Sequence, residues 1–549
     1  MNGRIKMKTF KSIFVIATLL LFTLSTQAQE IFDAIRNGDI ARVKELVEKD
    51  PELVKSRNAR QSTPLHVAVD RNNEQIVQYL LEKKADPNAK GNSDFTPLFY
   101  AKNITITKLL VENGADVNEN MPIAWALVNG RKDVVDYLID KGAKLPEADS
   151  PQGLLFLVRS IRCGSKKLLD IYLRQGFDLR YENQTKNNLL HYAAESNSTE
   201  LIDQLMENGL KANEGNIFGW TPLHIAASNG NLEVVKLLLK KDGDANRRTN
   251  DGKTPFNLAI EANKDETAEY LKSLGADQSP QIFPDLQGEY MGQPKPGNKA
   301  ELFAPGILNP KHEYHGAIVF SPDGDEMYWS AYLDDKGASI LRSQRVNEKW
   351  GKPEIFFRGD VPFIPPDGNK LYYVAFKEVD GKNKEIIHVR DKTTSGWSEA
   401  KEMPEIINSF AQVHWQASVD KIGNLYWGAS QDMGSRIYYS ALMDGKYTDP
   451  EAINALKDIE AFSPYIAPDG SYLIFSTVSE GENLSISFKK GDGTWTGGVD
   501  ISNYIGIKGG FCPIVTHDGK YLFFVGNIDG QYAHFWVDTS FIKDLRTKK

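Results

Sequence analysis

Two groups of titratable residues have the types and spacing to do chemistry. The first is His312, Glu313, His315, Asp360, His414 and Glu460. Three imidazoles and three carboxylates drawn together could hold a metal ion or move protons. They stand at the starts of predicted strands in successive repeating units. Only a fold that gathers strand beginnings at one mouth would unite them, and polar residues also rim such a mouth simply to hydrate it. The second group is His66, His191 and His224, which recur at one position of an earlier repeat, each on a different unit. His388 and His534 sit on later strands and read as structural.

Other candidates carry less. Asp323, Asp367, Asp469 and Asp518 each occupy a turn in a separate unit, so they cannot converge on one ion, and a turn-stabilising role is expected. Gly288–Gly292 lacks the strand-to-helix context of a phosphate loop. The sequence holds no nucleophile elbow, zinc helix, Walker loop or dinucleotide fingerprint. No catalytic residue, metal or cofactor is therefore assigned.

The elements that position these residues come in two arrays. Thr63-Pro64-Leu65-His66 and Thr96-Pro97-Leu98-Phe99 lie 33 residues apart, as do Thr221-Pro222-Leu223-His224 and Thr254-Pro255-Phe256-Asn257. Asn188-Leu189-Leu190-His191 falls 33 before Thr221. Each is followed by an apolar helical pattern and a turn such as Gly114-Ala115-Asp116. Thr caps the first helix, and Pro sits in its first turn, where a missing N–H costs nothing. No unit buries its apolar face alone, so neighbours must stack. Leu80, Leu81, Leu109, Leu110, Leu237 and Leu238 are expected in the core.

This array resembles the ankyrin repeat over about residues 30 to 278. About eight units begin near Glu30, Thr63, Thr96, Met121, Pro151, Asn188, Thr221 and Thr254. The Met121 and Pro151 units depart from the pattern. The resemblance implies that His66, His191 and His224 hydrogen-bond locally within turn and helix. It also implies binding through turn tips and the concave face. There Phe95, Trp220 and Lys253, each just before the capping Thr, are expected to be exposed, the two aromatics as anchors for a partner.

A Pro- and Gly-rich stretch follows, and then a period of roughly 45 to 55 residues. Its mark is a Pro-Asp-Gly turn before an aromatic strand: Pro322-Asp323-Gly324, Pro366-Asp367-Gly368 and Pro468-Asp469-Gly470. His517-Asp518-Gly519 and Asp420-Lys421-Ile422-Gly423 are variants. A second mark, Trp350, Trp397, Tyr447 or Trp495, precedes a last short strand. Four strands per unit define a propeller blade. The units are similar to the WD40-like (PD40) repeats of TolB-type propellers over about residues 299 to 545. Five blades are countable. Glu301-Leu302-Phe303-Ala304-Pro305 is expected to close the ring against the fifth, and a sixth blade built partly from residues 280 to 300 is the alternative.

The expected fold is thus multidomain α + β: signal peptide 1–28, ankyrin solenoid 29–278, linker 279–298, β-propeller 299–549. The signal peptide rests on Arg4, Lys6, Lys8 and Lys11, an uncharged apolar run Ser12–Leu24, and Thr26-Gln27-Ala28 at the cleavage site. That run is short for a spanning helix, so no stable membrane insertion is expected after cleavage. Export, together with the TolB-type resemblance, implies the periplasm, or secretion, in a Gram-negative bacterium. The net charge of −8 gives no pull toward nucleic acid. Cys163 and Cys512, the two cysteines, fall in different domains and read as buried thiols rather than a bridge. The expected function is protein–protein interaction with an envelope protein. A carbohydrate-active lyase or hydrolase at the propeller mouth, with a glycan ligand, is the rival.

Overall fold

The computed structural model describes residues 29–308, 314–333, 337–379, 381–411, 413–431, 434–478, 483–528 and 530–547. The signal segment, His312 and Glu313 lie outside them, as does the side chain of His315.

The first half stacks eight antiparallel helix pairs, from 29–36 with Ile40–Lys49 to Pro255–Glu261 with Asp265–Ser273. Leu80, Leu81, Leu110 and Leu238 are buried in one continuous apolar core, while Leu109 and Leu237 pack against it half-buried. The recurring histidine explains how the pairs are spaced. Thr63 N–H donates to His66 Nδ1 at 3.2 Å, and His66 Nε2 reaches the carbonyl of Phe95, one repeat further on, at 3.0 Å. His191 meets Asn188 N at 3.3 Å and Trp220 O at 3.0 Å. His224 meets Thr221 N at 3.1 Å and Arg247 O at 3.0 Å. Each imidazole therefore caps its own helix and fastens the next hairpin. The bonds reach further than the local ones the sequence implied.

The second, sixth and seventh units carry this histidine, whereas the fourth, fifth and eighth have Ala124, Gly153 and Asn257 in its place and the third has Phe99. The first helix of the third unit shrinks to the 3₁₀ turn Pro97–Tyr100 without a side-chain cap. Thr96 Oγ1 is buried with no hydrogen-bond partner among the described residues. The fourth unit, shortened at its leading turn, enters its helix through Asn120 and Met121 in left-handed backbone.

Residues 279–298 are ordered against both halves. Ile282 N–H donates to Gly252 O at 3.3 Å, Gly288 N–H to Glu348 O at 2.9 Å, and Trp350 Nε1–H to Gly288 O at 2.8 Å. The Tyr290 ring sits among Phe320, Tyr521 and Trp536, with centroids 5.2, 5.3 and 5.5 Å away. Asn250 Nδ2 also donates to Pro305 O at 3.0 Å, tying a repeat tip to the propeller. Gly252 has φ +84, and an added Cβ would lie 1.6 Å from Ile282 O. Gly252→Ala is expected to dislodge the strap at a cost of about 2 kcal/mol or more, read as faster amide exchange at Ile282. Unchanged exchange there would refute the strap.

The second half is a five-bladed propeller. Its innermost strands are Tyr314–Phe320, Asp360–Phe363, Val413–Val419, Ala461–Ile466 and Phe511–Val515. No sixth blade forms from residues 280 to 300 among the described residues. Glu301 and Leu302 pair with Trp536 and Phe535, so the segment before the first blade closes the fifth. In each Pro-Asp-Gly turn the aspartate accepts the N–H two residues on, at 3.0 to 3.1 Å for Asp323, Asp367, Asp469 and Asp518. The marker aromatics clasp the preceding blade. Trp397 Nε1–H donates to Tyr328 Oη at 2.9 Å, and Trp495 meets the Tyr426 ring edge-on at 6.4 Å.

Candidate functional site

All five innermost strands change register at one level, between Gly316 and Val319, Asp360 and Phe363, His414 and Ala417, Phe462 and Tyr465, and Phe511 and Ile514. These bulges re-aim side chains around the axis. Below them Phe320, Ile364, Val419, Ile466 and Val515 fill the channel, leaving a void of ≈ 10 Å³, about one water. At the bulge level Gln416 lies across the axis, its Nε2–H donating to Pro513 O at 2.9 Å. The channel is sealed, and the chemistry available to it lies at the strand-start end.

There a cavity of ≈ 250 Å³ opens between the first three blades. It brings together Asp360 and His414, and adds Arg358, Phe376, Glu385 and Trp415, which the sequence reading missed. Glu385 lies inside the third strand of its blade, away from any strand beginning, so no positional rule pointed to it. Asp360 Oδ1 accepts from Ser330 Oγ–H at 2.5 Å and from Val361 N–H at 2.8 Å. Glu385 Oε2 accepts from His414 N–H at 3.0 Å.

Two of the expected mouth residues behave differently. Glu460 is exposed beside Gly434 and is not part of this cavity. His414 is 1% exposed, with Nδ1 2.8 Å from Glu385 O and Nε2 3.2 Å from Ile407 O. Burial lowers its pKa, and both nitrogens face backbone carbonyls, so it is a structural imidazole and not a poised base. Among the described residues no group of three or more His, Cys, Asp or Glu is placed to hold a metal ion.

On the solenoid, the expected tip anchors also separate. Phe95 is half-buried and stacks on Phe99 at 4.0 Å, and Phe99 stacks on Trp125 at 5.5 Å. Trp220 is half-buried against His224. Lys253 was expected to be exposed and is not. It is 8% exposed, its ammonium held by Asp251 at 3.4 Å and Glu261 at 3.1 Å. Large apolar side chains are exposed on the first helices of the fourth and fifth units, at Met121 (43%), Trp125 (37%), Val128 (54%) and Leu155 (40%), and on the last unit at Ile260 (50%) and Leu274 (55%). Trp125 occupies the position of Val67, Tyr100 and Tyr192 in other units, each four residues after its helix cap.

Comparison with known proteins agrees with the helical repeats of the first half. Residues 31–121, 154–249 and 190–282 match the family of ankyrin repeats. The N-terminal half is an ankyrin-repeat array joined to a five-bladed β-propeller. Similar proteins include the human transient receptor potential cation channel subfamily A member 1, 30% identical over 27% of this chain and 15% of that protein. Alpha-latrocrustotoxin-Lt1a of Latrodectus tredecimguttatus is 43% identical over 18% and 8%. The phosphocholine transferase AnkX of Legionella pneumophila is 25% identical over 34% and 22%. Each match spans less than a quarter of these three relatives. Ankyrin repeats indicate protein–protein interaction, and among the described residues no helix is long and apolar enough to cross a membrane.

Proposed function

We propose that the protein is an exported scaffold that holds an envelope protein on the aromatic face Phe95–Phe99–Trp125. The observation that carries this is Phe99. Its ring replaces the histidine strut, and Thr96 Oγ1 is left buried without a partner among the described residues. An orphaned hydroxyl costs about 1–3 kcal/mol. The replacement instead provides an aromatic stack continuous with half-exposed Trp125, the kind of residue that anchors interfaces. A local rule broken at a stability cost points to function.

Export is supported by the basic, apolar and small-residue run of residues 4–28. Periplasmic placement in a Gram-negative envelope rests on the likeness of the blade turns to TolB-type repeats. Lyase or hydrolase chemistry has less support, because His414 is committed to backbone carbonyls.

The test compares capture from envelope extract by the wild type, Trp125→Ala and Phe99→His. The same protein should be retained by the wild type and fall about tenfold or more in both variants. Phe99→His offers Thr96 an imidazole partner, so its stability should stay within about 1 kcal/mol. Equal capture by all three, with matched melting curves, would remove the proposal.

A further inference from the structure

The cavity at the propeller mouth has a chemistry of its own, independent of protein docking on the solenoid. It is a dead end, because the channel beneath it is sealed by Gln416 and the five apolar side chains. It therefore has the form of a closed pocket and not of a conduit. Its volume is ≈ 250 Å³. That is below the roughly 300–1,000 Å³ of sites for drug-sized ligands and suits one ring with its substituents.

The walls say which ring. Trp415 and Phe376 supply aromatic surface, and Phe376 is 59% exposed at the lip. Two carboxylates stand in the wall already oriented by the chain's own donors, Asp360 by Ser330 and Val361, and Glu385 by the backbone of His414. Pre-oriented acceptors of this kind bind without reorganisation cost. One cation stands with them, the exposed Arg358 in the wall. An organic cation would meet Arg358, and an anion the two carboxylates. A neutral ligand with several hydroxyls uses donors and acceptors together, and its C–H faces cover the aromatic rings. The geometry points to a saccharide-binding subsite in which Asp360, Glu385, Trp415 and Phe376 enclose one neutral pyranose ring.

The test is saturation-transfer NMR on the full mature chain. The probes are the methyl pyranosides of glucose, galactose, mannose and N-acetylglucosamine at millimolar concentration, with cadaverine as a cationic control. Ring protons of at least one pyranoside should receive saturation, and cadaverine should not. Phe376→Ala, at an exposed position, should keep the melting temperature and weaken binding about tenfold. Glu385→Gln, which keeps an acceptor for His414 N–H, should weaken it by a similar factor. No transfer to any pyranoside, transfer to cadaverine instead, or unchanged binding in Phe376→Ala would each overturn the inference. If Glu385→Gln fails to fold, Phe376→Ala decides alone.

Discussion

Acidification from pH 7 to pH 4 is expected to remove roughly 6 kcal/mol from the ankyrin half, well before its surface carboxylates are fully protonated. The reason lies in His191 and His224. Burial lowers each from 6.5 to about 4, because the charged form would lose water without gaining a counter-ion. A histidine depressed in the folded state stays neutral there while the unfolded chain takes up a proton. Its contribution is therefore complete above pH 6.5 and is lost as pH falls toward 4. That loss is about 1.4 kcal/mol per pH unit for each group, or about 3 kcal/mol apiece at pH 4. His66 shifts in the same direction by the same cause and adds to the effect. Urea denaturation followed by the far-ultraviolet helical signal at stepped pH measures it. A double variant, His191→Gln with His224→Gln, should start less stable at neutral pH and lose less on acidification. An identical pH slope in wild type and variant would show that the struts do not govern acid stability.

Phe303→Ala is expected to destabilise the propeller by about 3–5 kcal/mol, out of proportion to the two-residue strand it follows. Phe303 is 2% exposed and meets Phe523, Trp536 and Phe320 edge-on, with centroids 5.1, 5.2 and 6.3 Å away. Its N–H donates to His534 O at 2.9 Å. The seam of the ring is thus held by one buried ring more than by its ladder bonds. Thermal unfolding read from tryptophan fluorescence should shift down by several degrees or more. A melting temperature within a degree of wild type would mean that Glu301 and Leu302 alone suffice.

The repeats, the five blades and the closing strand were all readable in the sequence, because each depends on a pattern that recurs at fixed spacing. Details fixed by a single neighbour were not. Lys253 occupies a tip position in the pattern, yet Asp251 and Glu261 draw its ammonium inward. Glu460 begins a strand as His414 does but stays at the surface, since strand position alone does not set which way a bulge turns a side chain. Phe99 was visible as a departure from Thr-Pro-Leu-His. What it departs toward, a stack on Trp125, needed the shortened 3₁₀ turn to be seen. Glu385 lacked any marker, because it joins Asp360 only across two strands of one blade.

The seam also sets an order of events during synthesis. Residues 301–302 leave the ribosome more than 200 residues ahead of their partners at 535–536. At 5–20 residues per second that is a wait of roughly 10–50 s. A long apolar strand held unpaired for that time would invite association with another nascent chain. A zipper of two residues, one of them Glu301, offers little to seize. Its brevity keeps the half-made propeller from joining a stranger before its own last blade arrives.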